Sequence, residues 1–368
     1  MEKQIVYEIA QRIASDKERS NYGLLTGYIG HMIFLSEYSK IQPEYSKIVN
    51  DYIDNFYSDI EQGIISSSYS RGISGICLGI GYVHRHHNKP FEFVSKSIDE
   101  YLAAEVDEYL STQNFDFLHG ALGIGFYFIE RAKEGNKIAL KALKNILEKL
   151  NKNKISNNKD EITFLNFNKV SDISLSHGLS AILIFLCKLI EIGFPCKNVA
   201  NDLSIKIIRY ILSQKIDRQI YGSQFPYTSI ENHVKGSRLA WCYGDLGICM
   251  ALLKASEILK NQELYQQTIE ILLYNSQRKD LNKNLVQDNA ICHGTSGISL
   301  IYHILNQKYK ISKFGECEQF WLSKTVELYH KKDSNENLSL LEGLSGTGLV
   351  LLNSSYNTGT QWSHFFLI

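Results

Sequence analysis

Proline is scarce in this chain, at 4 of 368 residues, and charge of one sign is not in excess: Lys plus Arg is 39 and Asp plus Glu is 39. A protein that grips nucleic acid by neutralising phosphates carries a basic surplus, so that class is excluded, and no acidic tail or polybasic arm occurs. The first twenty residues are interrupted by charges every few positions and hold no apolar core of signal-peptide length. No apolar run reaches the roughly 18 residues a spanning helix needs, so a transmembrane segment is not expected. No Cys-x-x-Cys pair exists, which removes ribbon- and finger-type zinc sites. What remains is an ordinary globular composition, 44% apolar and 21% charged, with material for a large core. The length alone allows two or three domains or one large closed architecture. The 7 cysteines are odd in number. Without an export signal they read as reduced thiols in a cytoplasmic protein, open to metal binding or catalysis.

The chain repeats. A small-residue motif close to Gly-x-x-Gly, followed by an apolar run, recurs seven times, as in LLTGYIGHMIFL (24–35), FLHGALGIGFYF (117–128) and ICHGTSGISLIY (291–302). The first glycines are Gly27, Gly72, Gly120, Gly178, Gly244, Gly294 and Gly343, at spacings of 45, 48, 58, 66, 50 and 49. Such a period indicates a repeat architecture. The stretches between, such as 99–113, 135–154 and 261–280, place apolar residues at three- and four-residue steps among strong helix formers. Each repeat therefore reads as an amphipathic helix, a turn, and a glycine-started helix apolar nearly all round. Glycine lets helix N-termini approach closely and permits left-handed backbone. Seven such starts suit a ring, so the expectation is an all-α fold, an α/α toroid of seven helical hairpins in one domain over 1–368. Two linkers, 153–174 and 215–237, read as long irregular loops, and the tail after Asn353 as a segment that packs or binds.

In a ring, the residues just before the glycines share one mouth. They are Thr26, Arg71, His119, His177, Tyr243, His293 and Glu342, with Cys242 and Cys292 one residue earlier in the fifth and sixth copies. Those copies are neighbours, so Cys242, Cys292 and His293 converge. Two thiolates and an imidazole fill three positions of tetrahedral zinc and leave one open. Cys77, Cys187 and Cys249 lie inside apolar helices and read as packing residues, while Cys196 and Cys317 lie near helix ends. A zinc rich in thiolate activates a visiting thiol better than it hydrolyses an amide.

With WCYGDLG (241–247) and CHGTSG (292–297), the chain resembles the lanthionine synthetase C-like family, the LanC-type lanthipeptide cyclases. The resemblance runs through all seven glycine turns and implies a seven-fold α/α toroid. It implies addition of peptide Cys thiols to dehydroalanine or dehydrobutyrine, giving lanthionine or methyllanthionine thioethers. It also implies Zn2+ on Cys242, Cys292 and His293. Residue by residue, the family's catalytic His falls on His177, an Asp ahead of the preceding motif on Asp116, an Arg four before the first ligand on Arg238, and a mouth aromatic on Tyr243. By their chemistry, Arg238 stabilises the enolate oxygen and His177 protonates the α-carbon or first takes the thiol proton, with Asp116 orienting it. His119 is a further acid–base candidate, and Glu342 reads as a turn residue. Ala181 replaces the second glycine of the fourth copy, and the chain is too short for the β-rich insertion of some members. The implied partners are a dehydrated, leader-bearing precursor peptide and a dehydratase, with a membrane-peripheral complex compatible. The alternative is a non-catalytic relative that keeps zinc and binds a thiol peptide or glutathione. Toroid glycosidases need paired carboxylates, and the turns offer only Asp116 and Glu342. Zinc prenyltransferases use an Asp/Cys/His ligand set that does not match.

Overall fold

The computed structural model describes residues 1–16, 21–60, 66–86, 95–166, 168–232, 234–331 and 337–368. In chain order its elements begin with α1 (Glu2–Ser15), α2 (Tyr28–Ser39), α3 (Tyr45–Ile60), α4 (Ile73–His86), α5 (Lys96–Ser111), α6 (Ala121–Lys133) and α7 (Lys137–Asn153). A short antiparallel hairpin of β1 (Ile155–Asn158) and β2 (Glu161–Thr163) follows. Then come α8 (Leu179–Glu191), α9 (Lys197–Ser213), the single turn α10 (Arg218–Tyr221), α11 (Asp245–Ile258) and α12 (Gln262–Asn275). The last helices are α13 (Thr295–Tyr309), α14 (Ser312–Lys331) and α15 (Leu344–Tyr356).

The seven glycine-started helices are α2, α4, α6, α8, α11, α13 and α15, each beginning directly after its glycine. Their apolar composition is matched by burial: every residue of α2 is buried, as is every residue of α8 from Leu179 to Cys187. The amphipathic helices bury one stripe. In α7 this is Ala139, Ala142, Leu143, Ile146, Leu147 and Leu150, at the steps of three and four that one helix face dictates. Each buried Leu or Ile of that stripe contributes about 1.5–3 kcal/mol. Asn136 caps α7 by accepting the Ala139 N–H at 2.9 Å, and Asn261 caps α12 by accepting the Leu264 N–H at 3.0 Å.

The glycine-started helices use a different cap, shared by six of the seven turns. The residue six places before the glycine is Asn21, Ser66, Asn114, Asp172, Asp288 or Asn337. Its side-chain oxygen accepts the N–H two residues on, and its backbone carbonyl accepts the first N–H of the following helix, which otherwise lacks a partner. That second bond explains the glycine. Gly178 has φ −129°, ordinary extended backbone, but a Cβ there would sit 2.3 Å from the Asp172 carbonyl oxygen. Close approach, not left-handed geometry, is therefore what these turns require of glycine. In the fifth turn the six-before position holds Arg238, whose backbone instead bridges to Gly244.

The chain divides into two compact units. The first, 1–95 with 288–366, holds the first, second, sixth and seventh turns. Within it, backbone bonds lace one turn to the next: Cys292 N–H to Leu341 O, Leu341 N–H to Leu25 O, and Leu25 N–H to Ser70 O, at 2.9–3.1 Å. The first and last α-helices meet here, because α15 packs on both α1 and α2. The tail packs as well: Trp362, Phe365 and Phe366 are fully buried, and the Tyr69 hydroxyl donates to the Phe365 carbonyl at 3.0 Å. The second unit, 96–287 with 367–368, holds the third, fourth and fifth turns. The 153–174 linker, expected to be irregular, begins with the β1–β2 hairpin and closes with a Leu165–Ser171 bridge. Its alternation, Ile155 to Thr163 around a polar turn, is too short to register as a strand pattern by period. The 215–237 segment is largely irregular, tied down by Asp245, which accepts the Gln224 and Phe225 N–H groups and pairs with Arg278.

Candidate metal centre and active-site turns

His177 ends the fourth turn directly before Gly178, and Asp116 lies in the third turn four residues before Gly120. The structure brings them together: His177 Nδ1 and Asp116 Oδ2 are 2.6 Å apart. The other Asp116 oxygen accepts the His119 N–H at 2.7 Å, so the carboxylate is fixed from both sides. Burial pulls the His177 pKa down, but the hydrogen bond and charge of Asp116, then the charges of Asp172 and Cys242, outweigh it and leave the imidazole above its ordinary value. Asp116 thus favours the protonated ring, and holds it by Nδ1 alone.

Three rings flank this pair. Tyr243 lies 5.8 Å from His177 by ring centroids, His119 stacks at 6.1 Å, and Tyr227 stacks on Tyr243 at 4.5 Å and 9°. Burial, with the nearby Asp172 carboxylate second, raises the Tyr243 pKa well above the usual phenol, so its hydroxyl remains a donor. Tyr227 comes from the 215–237 segment and was not apparent in the sequence, where nothing ties it to the glycine register.

Cys242 precedes Tyr243 and is buried, with its carbonyl accepting the Leu175 N–H at 3.2 Å. Cys292 is buried and His293 part-exposed at the end of the sixth turn. Cys292 and His293 are adjacent donors at the end of the sixth turn, and Cys242 stands at the same register in the fifth. Sulfur and nitrogen donors of this kind suit zinc and not calcium or magnesium. Asp288 adds a feature that sequence reasoning missed: its Oδ2 lies 3.3 Å from His293 Nε2 while its Oδ1 holds the turn through the Ala290 N–H. A carboxylate beside a metal-binding histidine fixes ring orientation and raises ligand basicity.

Arg238 sits on the turn of Cys242, four residues upstream, with its Nε buried and without a hydrogen-bond partner among the described residues. Arg278 steadies the segment by donating to the Ser237 carbonyl at 2.9 Å. Glu342 ends the seventh turn, its N–H bonded to Ser339 Oγ at 3.3 Å.

These features meet known proteins at one place. The family model described as lanthionine synthetase C-like protein matches residues 18–367, and the chain belongs to that family. The nisin biosynthesis protein NisC of Lactococcus lactis subsp. lactis is 23% identical over 409 aligned residues, which take in 100% of this chain and 94% of that protein. The solved structure of nisin cyclase matches with a TM-score of 0.76 at 21% identity, over 100% of this chain and 96% of that one. The all-α fold expected from the repeats, the α/α toroid class, is the fold the chain shares with that structure.

Proposed function

We propose that this protein is a zinc-dependent lanthipeptide cyclase, adding Cys thiols of a dehydrated precursor peptide to dehydroalanine or dehydrobutyrine to close thioether rings. The observation that carries the reading is the His177–Asp116 pair, 2.6 Å apart, in a chain of this family, with Cys242, Cys292 and His293 at matching turn positions as the donors that would hold the ion. Membership of the lanthionine synthetase C-like family and the likeness to NisC support it. When bound, zinc lowers the pKa of the substrate thiol and holds its sulfur, while thiolate ligands keep that sulfur electron-rich.

The remaining work falls to the chain's own side chains. Sulfur attack at the β-carbon sends charge to the carbonyl oxygen of the dehydro residue, where Arg238 supplies a permanent cation. Arg238 occupies the one six-before position that lacks an acceptor side chain, so its guanidinium is not spent on closing the turn. His177 gives its proton to the α-carbon from Nε2, while Asp116 holds Nδ1 and favours the charged ring. Tyr243 walls the site with a protonated hydroxyl. The thiol loses one proton and the α-carbon gains one, so the product has the mass of the substrate. Dehydroamino acids must be supplied by a dehydratase acting first, and both enzymes then work in the cytoplasm, free or at a membrane surface.

The test incubates zinc-loaded protein with a dehydrated Cys-containing peptide and counts free thiols. Thiol loss without mass change is the expected result. His177→Ala retains zinc and loses most turnover, whereas Cys292→Ala loses zinc. Persistent thiols with intact zinc, across several peptides, would point to a thiol-binding protein instead.

A further inference from the structure

The six-before position asks its residue only for an acceptor oxygen. Asn21, Asn114 and Asn337 provide it as a neutral amide and Ser66 as a hydroxyl. Two turns use an aspartate, Asp172 and Asp288, and so carry a negative charge the turn does not need. These are the turns that end in His177 and His293. The second oxygen of Asp288 is accounted for, 3.3 Å from His293 Nε2.

The second oxygen of Asp172 is not. Asp172 is 1% exposed; its Oδ2 is buried and makes no hydrogen bond of ordinary geometry among the described residues, while the side chains of Ser174 and Asn166 also act on the carboxylate. A buried carboxylate oxygen left this way is costly. Asp172 lines a cavity of about 20 Å³ shared with Asp116, His177, Asn114 and Asn166. One water needs roughly 10–15 Å³ and two to four polar partners, and this cavity offers both. Part of its wall, from Phe164 to Asn166, is the segment just after β2, placed against Phe115 with ring centroids 5.7 Å apart.

We propose that Asp172 is a second carboxylate partner of His177, its spare oxygen reaching the imidazole through one water held in this cavity. Asp172 is then a positioning residue: Asp116 sets one edge of the ring directly, and Asp172 adds charge that favours imidazolium over imidazole. The charged and titratable groups around His177 are Asp116, Asp172, Cys242, Tyr243 and His119. Burial holds the Asp172 carboxyl above its ordinary range, as expected of a group whose second oxygen meets little solvent. The catalytic consequence rests on the cyclase reading of His177; the coupling itself does not.

The test is Asp172→Asn, which keeps the acceptor that Asn21, Asn114 and Asn337 supply in their own turns. The imidazole C–H signals of His177, assigned by their loss in His177→Asn, are titrated by NMR without substrate. The midpoint falls in the variant, kcat drops about tenfold with KM within about twofold, and the melting temperature stays close to wild type. An unchanged midpoint overturns the coupling, and failure of the variant to fold overturns the claim that the charge is surplus to the turn. A crystal structure of the wild type then shows an ordered water bonded to Asp172 Oδ2; direct bonding of that oxygen to another protein group would remove the bridge. If wild-type protein makes no thioether yet the midpoint still falls, the cyclase reading fails and the Asp172–His177 coupling stands.

Discussion

Replacing Asp116 with Asn isolates what its charge does, because the turn survives the change. The Asn oxygen still accepts the His119 N–H now bound at 2.7 Å, and the volume is nearly conserved. What changes is the 2.6 Å contact to His177 Nδ1. A carboxylate there accepts from an imidazolium; an amide nitrogen there is a donor and drives the ring toward the neutral tautomer protonated at Nε2. A hydrogen bond to a charged group contributes about 1.5–3 kcal/mol, and the Asp116 side chain is only 3% exposed, so screening removes little of it. At 1.36 kcal/mol per decade, the protonated fraction of His177, and with it turnover above the ordinary imidazole pKa, falls about 10- to 150-fold. The assay is steady-state thioether formation from about pH 6 to about pH 9, beside a zinc determination that remains at wild-type level. An acid role for His177 means activity is lost on the alkaline side, and the variant loses it at lower pH. Stability follows the same sign. The folded pKa of His177 lies above its unfolded value, so the pair's contribution is fully present below the unfolded pKa and fades as pH rises through the folded one. In Asp116→Asn that fade flattens. Turnover within twofold of wild type across this range would refute the reasoning.

Asp288→Asn keeps the turn bond to Ala290 and removes the carboxylate facing His293, so zinc affinity falls about 10- to 100-fold in a competition titration while the apo protein melts as wild type does. Gly178→Ala places a methyl 2.3 Å from the Asp172 carbonyl, and the turn must open; a loss of about 2 kcal/mol or more is expected in denaturant unfolding. Trp362→Ala empties a fully buried site in the tail and costs about 3–5 kcal/mol, whereas a tail that merely awaited a partner would leave unfolding unchanged.

The glycine register was readable because it is a period, and a period survives without knowing any contact. It located the helix starts of all seven motifs and put Cys242, Cys292 and His293 at equivalent turn positions. The Asp116–His177 pairing entered through family resemblance, since a separation of 61 positions gives no local sign that the two side chains touch. Asp172 and Asp288 sit in the same register, six before the glycine, and were legible in principle. Spacing alone does not single them out, because Asn, Ser and Asp share that slot, and only hydrogen bonding reveals what the three have in common. Tyr227 was not legible at all: the irregular segment that carries it is placed by buried bonds to Asp245, which no spacing announces.

The shared cap has a consequence for how chemistry can be installed in such a scaffold. Because the six-before oxygen and the glycine carry the wiring of each turn, the side chain between them that precedes the glycine is electrically and sterically a socket: Thr26, Arg71 and His119 occupy it in turns with the same backbone bonds as His177. Exchanging what is plugged into one socket leaves the circuit of its loop intact, so new reactive groups can be tried in the idle turns without redesigning the frame that holds them.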